Sequence, residues 1–179
     1  MQATPTAIAD VVLLTPRSFR DARGFFFESF NQRRFAEMIG RDVAFVQDNQ
    51  SHSLRHVVRG LHYQIATRAQ GKLVRALSGA IFDVAIDIRP SSPTYGQHVS
   101  ALLSAENRQQ LWIPEGFAHG FQVVSESADV MYKTTDYWSP EHERAIAWND
   151  AALAIAWPDA ARAILSDKDA QAPAFSAAL

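Results

Sequence analysis

A chain of 179 residues with 47% hydrophobic composition has the material for one well-packed domain and little for a second. Its 17 Lys+Arg against 19 Asp+Glu leave a formal charge of −2, which excludes the global positive field of a nucleic-acid or membrane-surface binder and leaves anionic ligands to local basic clusters. The absence of cysteine excludes disulfides and thiolate metal sites, and the lack of a long apolar stretch or a basic-then-apolar start makes a soluble, cytoplasmic protein the expectation.

In chain order, strands are expected at Val11–Leu14 and Gly24–Phe30. Asn31–Gly40 then reads as a helix: Asn31 can cap it, Phe35, Met38 and Ile39 recur at helical spacing, and Gly40 suits the stop. Strands follow at Val43–Asn49, Val57–Ile65 and Leu73–Leu77. In Ile81–Ile88 alternation puts Phe82, Val84, Ile86 and Ile88 on one face and Asp83 and Asp87 on the other. Further strands are expected at His98–Leu103, Gln109–Ile113, His119–Val124 and Val130–Thr135. Many short strands and no repeat point to a mainly β sandwich or jelly roll in a single domain spanning the chain. The Ala-rich tail after about residue 150 reads as short helical turns packed on that scaffold.

The polar residues inside these strands are the candidates for chemistry. Alternation places His62 and Gln64 on one face of their strand, and an inward imidazole in a small barrel needs hydrogen-bonding partners. Pro114-Glu115-Gly116-Phe117-Ala118-His119 is similar to the second sequence motif of the cupin jelly rolls. A metal-binding cupin would add a His-x-His pair and a carboxylate, but Gln64 stands where the second His belongs and no Asp or Glu lies between His62 and Asp83. The metal set is therefore incomplete, and no metal and no cofactor are expected. Arg17, Arg20, Arg23, Arg59, Lys72 and Arg75 fall in the first 75 residues, a concentration suited to phosphate oxygens. Tyr132, on the face shared by Val130 and Thr134, is a candidate acid.

Several separated motifs, in order, carry a resemblance to one family. They are Asp21-Ala22-Arg23-Gly24-Phe25-Phe26-Phe27-Glu28, Gln47-Asp48-Asn49, Arg59-Gly60-Leu61-His62-Tyr63-Gln64, Gly71-Lys72-Leu73-Val74-Arg75, Phe82-Asp83-Val84, Pro114 to Phe121 and Tyr132 to Glu143. From about Val11 to Asp169 the chain resembles the dTDP-4-dehydrorhamnose 3,5-epimerases, metal-free cupins of deoxysugar biosynthesis.

The resemblance implies a double-stranded jelly-roll barrel and a dTDP-4-keto-6-deoxyhexose substrate epimerised at carbons 3 and 5 through enolates. By resemblance His62 is the base, Asp169 orients it, with Asp83 the competing partner, Lys72 faces the enolate oxygen and Tyr132 returns the proton. Arg23, Glu28, Gln47, Asp48, Asn49, Arg59, His119, Glu143 and Lys168 are the implied substrate contacts, and Tyr137 or Phe19 the candidate to stack on thymine. A homodimer is implied, with the strand at about 11–14 exchanged with the partner. Ala145 departs from the family pattern, which has Gly after Arg144, and is expected to adjust a loop only. The other readings are a single-centre epimerase of a related dTDP-4-keto sugar, a non-catalytic sugar-nucleotide-binding cupin and a metal-dependent cupin.

Overall fold

The computed structural model describes residues 1–178. The strands of the first half are β1 (Gln2–Pro5), β2 (Val12–Thr15), β3 (Ser18–Asp21), β4 (Gly24–Phe27), β5 (Gln47–Leu54), β6 (Val58–Gln64) and β7 (Lys72–Ser78), with helix α1 (Gln32–Ile39) after β4. The second half adds β8 (Ala80–Asp87), β9 (His98–Ser104), β10 (Gln110–Ile113), β11 (Phe117–Val123), β12 (Ser127–Thr134), β13 (Glu143–Ala145) and the short helix α2 (Asp167–Ala170). Two sheets, in the orders β1-β2-β10-β7-β12-β5 and β13-β6-β11-β8-β9, face each other, and β3-β4 forms a separate hairpin. All their ladders are antiparallel. This is one of the two mainly β architectures that the strand pattern pointed to, the jelly roll, and the barrel that the resemblance implied.

Three apolar clusters hold it together. Val74, Ile81, Ala85, Leu111, Phe117, Phe121 and Val130 fill part of the space between the sheets. Outside the six-stranded sheet, α1 lays the fully buried Phe35 against Leu14, Leu73 and Trp112. Its ends are those expected: the Asn31 side chain accepts from the Arg34 amide, and Gly40 takes the left-handed conformation at φ 75° that glycine adopts without a Cβ clash. Outside the five-stranded sheet, the tail covers Val58, Leu61, Val84 and Ile86 with Ile146, Trp148, Leu153 and Trp157.

That third cluster settles the facing of β8. The apolar row Phe82, Val84 and Ile86 looks outward, under the tail, and the row carrying Asp83 looks inward with Ile81 and Ala85. Two buried faces on one strand require both a core and a covering layer, and the turns of the tail are that layer.

Some boundaries differ from the sequence reading. Residues 43–46 lie outside the strand, which runs from Gln47 to Leu54. Val43 and Phe45 pack into the α1 cluster instead, so their alternation reflects burial against a helix and not sheet pairing. The strand begun at Gly24 stops at Phe27, because Phe30 turns in against Phe35 and Phe45. β2, expected to cross to a partner, pairs here with β1 and β10 of its own chain.

Candidate active site

Position 62 is inward-facing because its neighbours Leu61 and Tyr63 belong to the outer cluster. On the adjacent strand His119 is its register partner. The ladder shifts register between His119 and Phe121, at a point where Gly60 and Gly120 let the two backbones close. A Cβ on Gly60 would lie 2.6 Å from the His119 carbonyl oxygen, and Gly60 sits at φ +111°. Glycine is required there on both counts.

Each histidine is held by its own carboxylate. His62 Nε2 lies 2.5 Å from Asp169 Oδ1, and His119 Nε2 lies 2.8 Å from Asp83 Oδ1. Asp83 is thus excluded as the partner of His62, since its inward row brings it to His119. Asp169 comes from α2, where the Ser166 side chain accepts from the Asp169 amide. The tail reaches the site by adding an isolated parallel bridge, Val57 to Ile164, beside β6. Burial pushes the Asp169 carboxyl up, but hydrogen bonds from His62 and from the Gly60 backbone outweigh it and its pKa is lowered. Asp169 is therefore an anion at neutral pH and accepts the Nε2–H of His62, which leaves Nδ1 as the ring nitrogen not engaged with that carboxylate.

Facing His62, on the other sheet, are Lys72 at the start of β7 and Tyr132 on β12. Lys72 is buried, and Nζ has one hydrogen bond, to the His62 carbonyl at 3.3 Å. Burial drives its pKa down to about 8, against the attraction of Asp83 and Glu143. Tyr132 lies between Asn49 and Val74 on its neighbouring strands. Burial, then the Glu143 charge, raises its pKa while Arg59 opposes. A raised phenol is fully protonated at neutral pH and has a proton to give. Its ring centre stands 6.0 Å from Lys72 Nζ and 6.4 Å from the His119 ring.

These groups line one cavity with two lobes of about 330 and 500 Å³ that share Asn49, His62, Lys72 and Tyr132. The first lobe continues to Gln47, Gln64, Trp138 and Glu143, the second to Asp48, Arg59, His119 and Phe121. Lys168 joins through Glu143, its Nζ 2.6 Å from Oε2. That contact outweighs burial and lowers the Glu143 pKa. Thirteen residues were expected in the site, and eleven are brought together here. The other two are not. Arg23 lines a separate cleft on the β3-β4 hairpin, paired with Asp21 and exposed, and Glu28 bonds Asn31 and Arg34 at the head of α1.

Gln70 and Trp138 line the first lobe without having been assigned there, Trp138 alone carrying a visible signal, as an aromatic beside Tyr137; Tyr63 borders the lobe too, but its hydroxyl bonds the Ala178 carbonyl in the tail. Ala145 is not in a loop: it lies on β13 as the register partner of His62. No three His, Cys, Asp or Glu side chains converge as a metal-ligand group among the described residues.

A basic imidazole and a protonated phenol on opposite walls, with a buried cation between the strands, can move a proton off one face of a carbon acid and onto the other. The family model described as dTDP-4-dehydrorhamnose 3,5-epimerase matches residues 5–177. The chain belongs to this epimerase family. Within it, the chain is 61% identical to the dTDP-4-dehydrorhamnose 3,5-epimerase of Pseudomonas aeruginosa over 99% of this chain and 98% of that one. It is 59% identical to that of Salmonella typhimurium over 97% and 95%. The dTDP-6-deoxy-D-glucose-3,5-epimerase of Legionella pneumophila, solved in complex with dTDP-4-keto-L-rhamnose, superposes with a TM-score of 0.95 at 49% identity, covering 98% of this chain and 93% of that chain. Membership makes the protein an isomerase, and no described helix is long and apolar enough to cross a membrane.

Proposed function

We propose that this epimerase inverts carbons 3 and 5 of dTDP-4-dehydro-6-deoxy-D-glucose, giving dTDP-4-dehydro-L-rhamnose, without a metal. The observation that carries the reading is the placement of His62 and Tyr132 on facing sheets of one cavity. Both target carbons adjoin the C4 ketone, so each C–H is acidified by it. His62 Nδ1 takes the proton, the bonding pair forms an enolate, and Asp169 offsets the imidazolium charge. The enolate oxygen is met by the Lys72 ammonium, held buried between the sheets. Tyr132 then gives its phenolic proton to the opposite face, and exchange with solvent returns one proton to Tyr132 and removes one from His62.

Gln47, Asp48, Asn49, Arg59, His119, Glu143 and Lys168 hold the nucleotide and sugar in this scheme. Arg23 and Glu28 lie outside the chain's own cavity, so their part in binding the diphosphate calls for a second copy. A homodimer is supported by the hairpin itself, which exposes Phe19, Phe25 and Phe26 beside Arg23. Such a patch on a lone protomer is an association surface.

The test is proton NMR of dTDP-4-keto-6-deoxyglucose with enzyme in deuterated water, paired with His62→Asn. The wild type should exchange and invert both carbons, and His62→Asn should lose exchange by at least about 10²-fold while still binding dTDP in calorimetry. Exchange at one carbon alone would make the protein a single-centre epimerase, and binding with no exchange would make it a non-catalytic sugar-nucleotide binder.

A further inference from the structure

Gln64 stands two residues after the base on the same face of β6, where a metal-binding cupin would place its second histidine. Its side chain is buried at 6% exposure, and every strong bond it makes goes to backbone. Nε2 donates to the Arg68 carbonyl at 2.6 Å and to the Tyr137 carbonyl at 3.2 Å. Oε1 accepts the Ser139 amide at 2.7 Å. One planar amide therefore brackets Trp138 from both sides, bonding the residue before it and the residue after it. Both N–H groups and the carbonyl are committed.

The segment so held is built to be displayed. Tyr137 and Trp138 are each 57% exposed, though Trp138 lines the first lobe of the cavity. Two large aromatics in water on an irregular segment have little burial of their own to fix them. Their order comes from polar clips: Gln64 from β6, Gln70 Nε2 on the Asp136 carbonyl at 2.8 Å, and Gln47 Oε1 on the Trp138 amide at 3.0 Å. Gln64 is the clip that belongs to the strand of the base, and it makes the bonds that flank the indole.

We propose that Gln64 is a positioning residue that fixes the Tyr137–Ser139 segment over the mouth of the cavity, so that its aromatic rings present a ready surface to the nucleotide part of the substrate. The assignment rests on the sugar-nucleotide reading of the site. The position that carries a metal ligand in other cupins here carries a loop clip, and it acts on binding and not on the proton transfers.

Gln64→Leu keeps a similar volume and removes all three bonds. With the segment in its binding-competent place about one-tenth of the time, the apparent affinity falls about tenfold, so KM for the dTDP-sugar and Kd for dTDP should both rise about tenfold with kcat changed less than about threefold. Exchange of the Ser139 amide with deuterium should quicken, and circular dichroism should stay that of the wild type. Gln64→Glu keeps the acceptor for Ser139 and, as an anion, loses both donors. Its KM should sit above the wild type near neutral pH and fall back as acid restores one O–H donor, a rescue that serves even if the leucine variant does not fold. An unchanged KM and Kd in a folded Gln64→Leu, or a kcat loss that exceeds the KM rise, overturns the proposal. An inactive wild type that also fails to bind dTDP overturns the reading it rests on instead.

Discussion

Lys72→Met removes a buried ammonium that the proposed mechanism assigns to the enolate oxygen, so its effects on stability and on rate should have opposite signs. Burial takes the ammonium from an ordinary 10.5 to about 8, a depression of about 2.5 units that corresponds to about 3 kcal/mol at 1.36 kcal/mol per unit. That figure already contains the opposing attraction of Asp83 and Glu143. Between pH 8 and 10.5 the unfolded chain binds the proton that the native chain has released, so native stability rises with pH across this window. Below pH 8 the full cost is present. Methionine is of similar length and carries no such cost. The variant should therefore be more stable than wild type at pH 7 by about 1–3 kcal/mol, the lower end allowing for the lost bond to the His62 carbonyl. The two should converge by pH 10.5. Urea denaturation at several pH values and one protomer concentration measures this difference. Over the same variants kcat should fall about 10²–10³-fold, the range for losing one preorganised oxyanion donor. A variant less stable than wild type at pH 7, with a parallel pH dependence, would refute the argument that Lys72 is a desolvated cation.

Asp169→Asn should lower kcat about 10²–10⁴-fold, since it removes the anion that fixes the His62 tautomer, while Asp83→Asn leaves that contact intact and should cost far less; equal losses measured in one steady-state assay would mean that the two His–carboxylate pairs work as a unit. Dialysis against a strong chelator should leave kcat unchanged, because His62 and His119 each commit Nε2 to a carboxylate and Gln64 commits its amide to backbone; activity restored only by one divalent metal would reject the metal-free scheme. Wild-type kcat/KM should decline as pH rises through about 8, where Lys72 loses its charge, and a plateau up to pH 9.5 would place the enolate's stabilisation elsewhere.

The sequence showed the barrel through its turns and alternation, and the site through residue types that strands seldom carry inward. His62 was legible as a histidine facing into a small barrel, Lys72 as one of a basic cluster and Tyr132 as a phenol on the face of Val130 and Thr134, and the resemblance gave each its role. Less legible were features created by layers that a one-dimensional pattern does not contain. Val43 and Phe45 alternate like a strand but face a helix. Alternation separated the Asp83 row from the apolar row of β8 but did not show that the apolar row faces outward, under the tail. The choice between Asp83 and Asp169 could not be made from spacing, since Asp169 is 107 residues from His62 and arrives only because α2 folds back beside β6. Gln64 was visible as an absent metal ligand, whereas its actual partners are backbone atoms that no side-chain motif encodes. Ala145 was read as part of a loop because three residues are too few to show a period, though they form β13 against β6.

The central claim is that base and acid act from opposite faces, and Tyr132→Phe tests it most directly. The ring and its packing stay, and only the phenolic proton is lost. Proton NMR in deuterated water should show His62 still exchanging the sugar's carbon-bound hydrogens, with configuration retained, while net inversion falls at least about 10²-fold. Equal falls in exchange and inversion, or no fall in either, would contradict the assignment of Tyr132 as the acid on the far face.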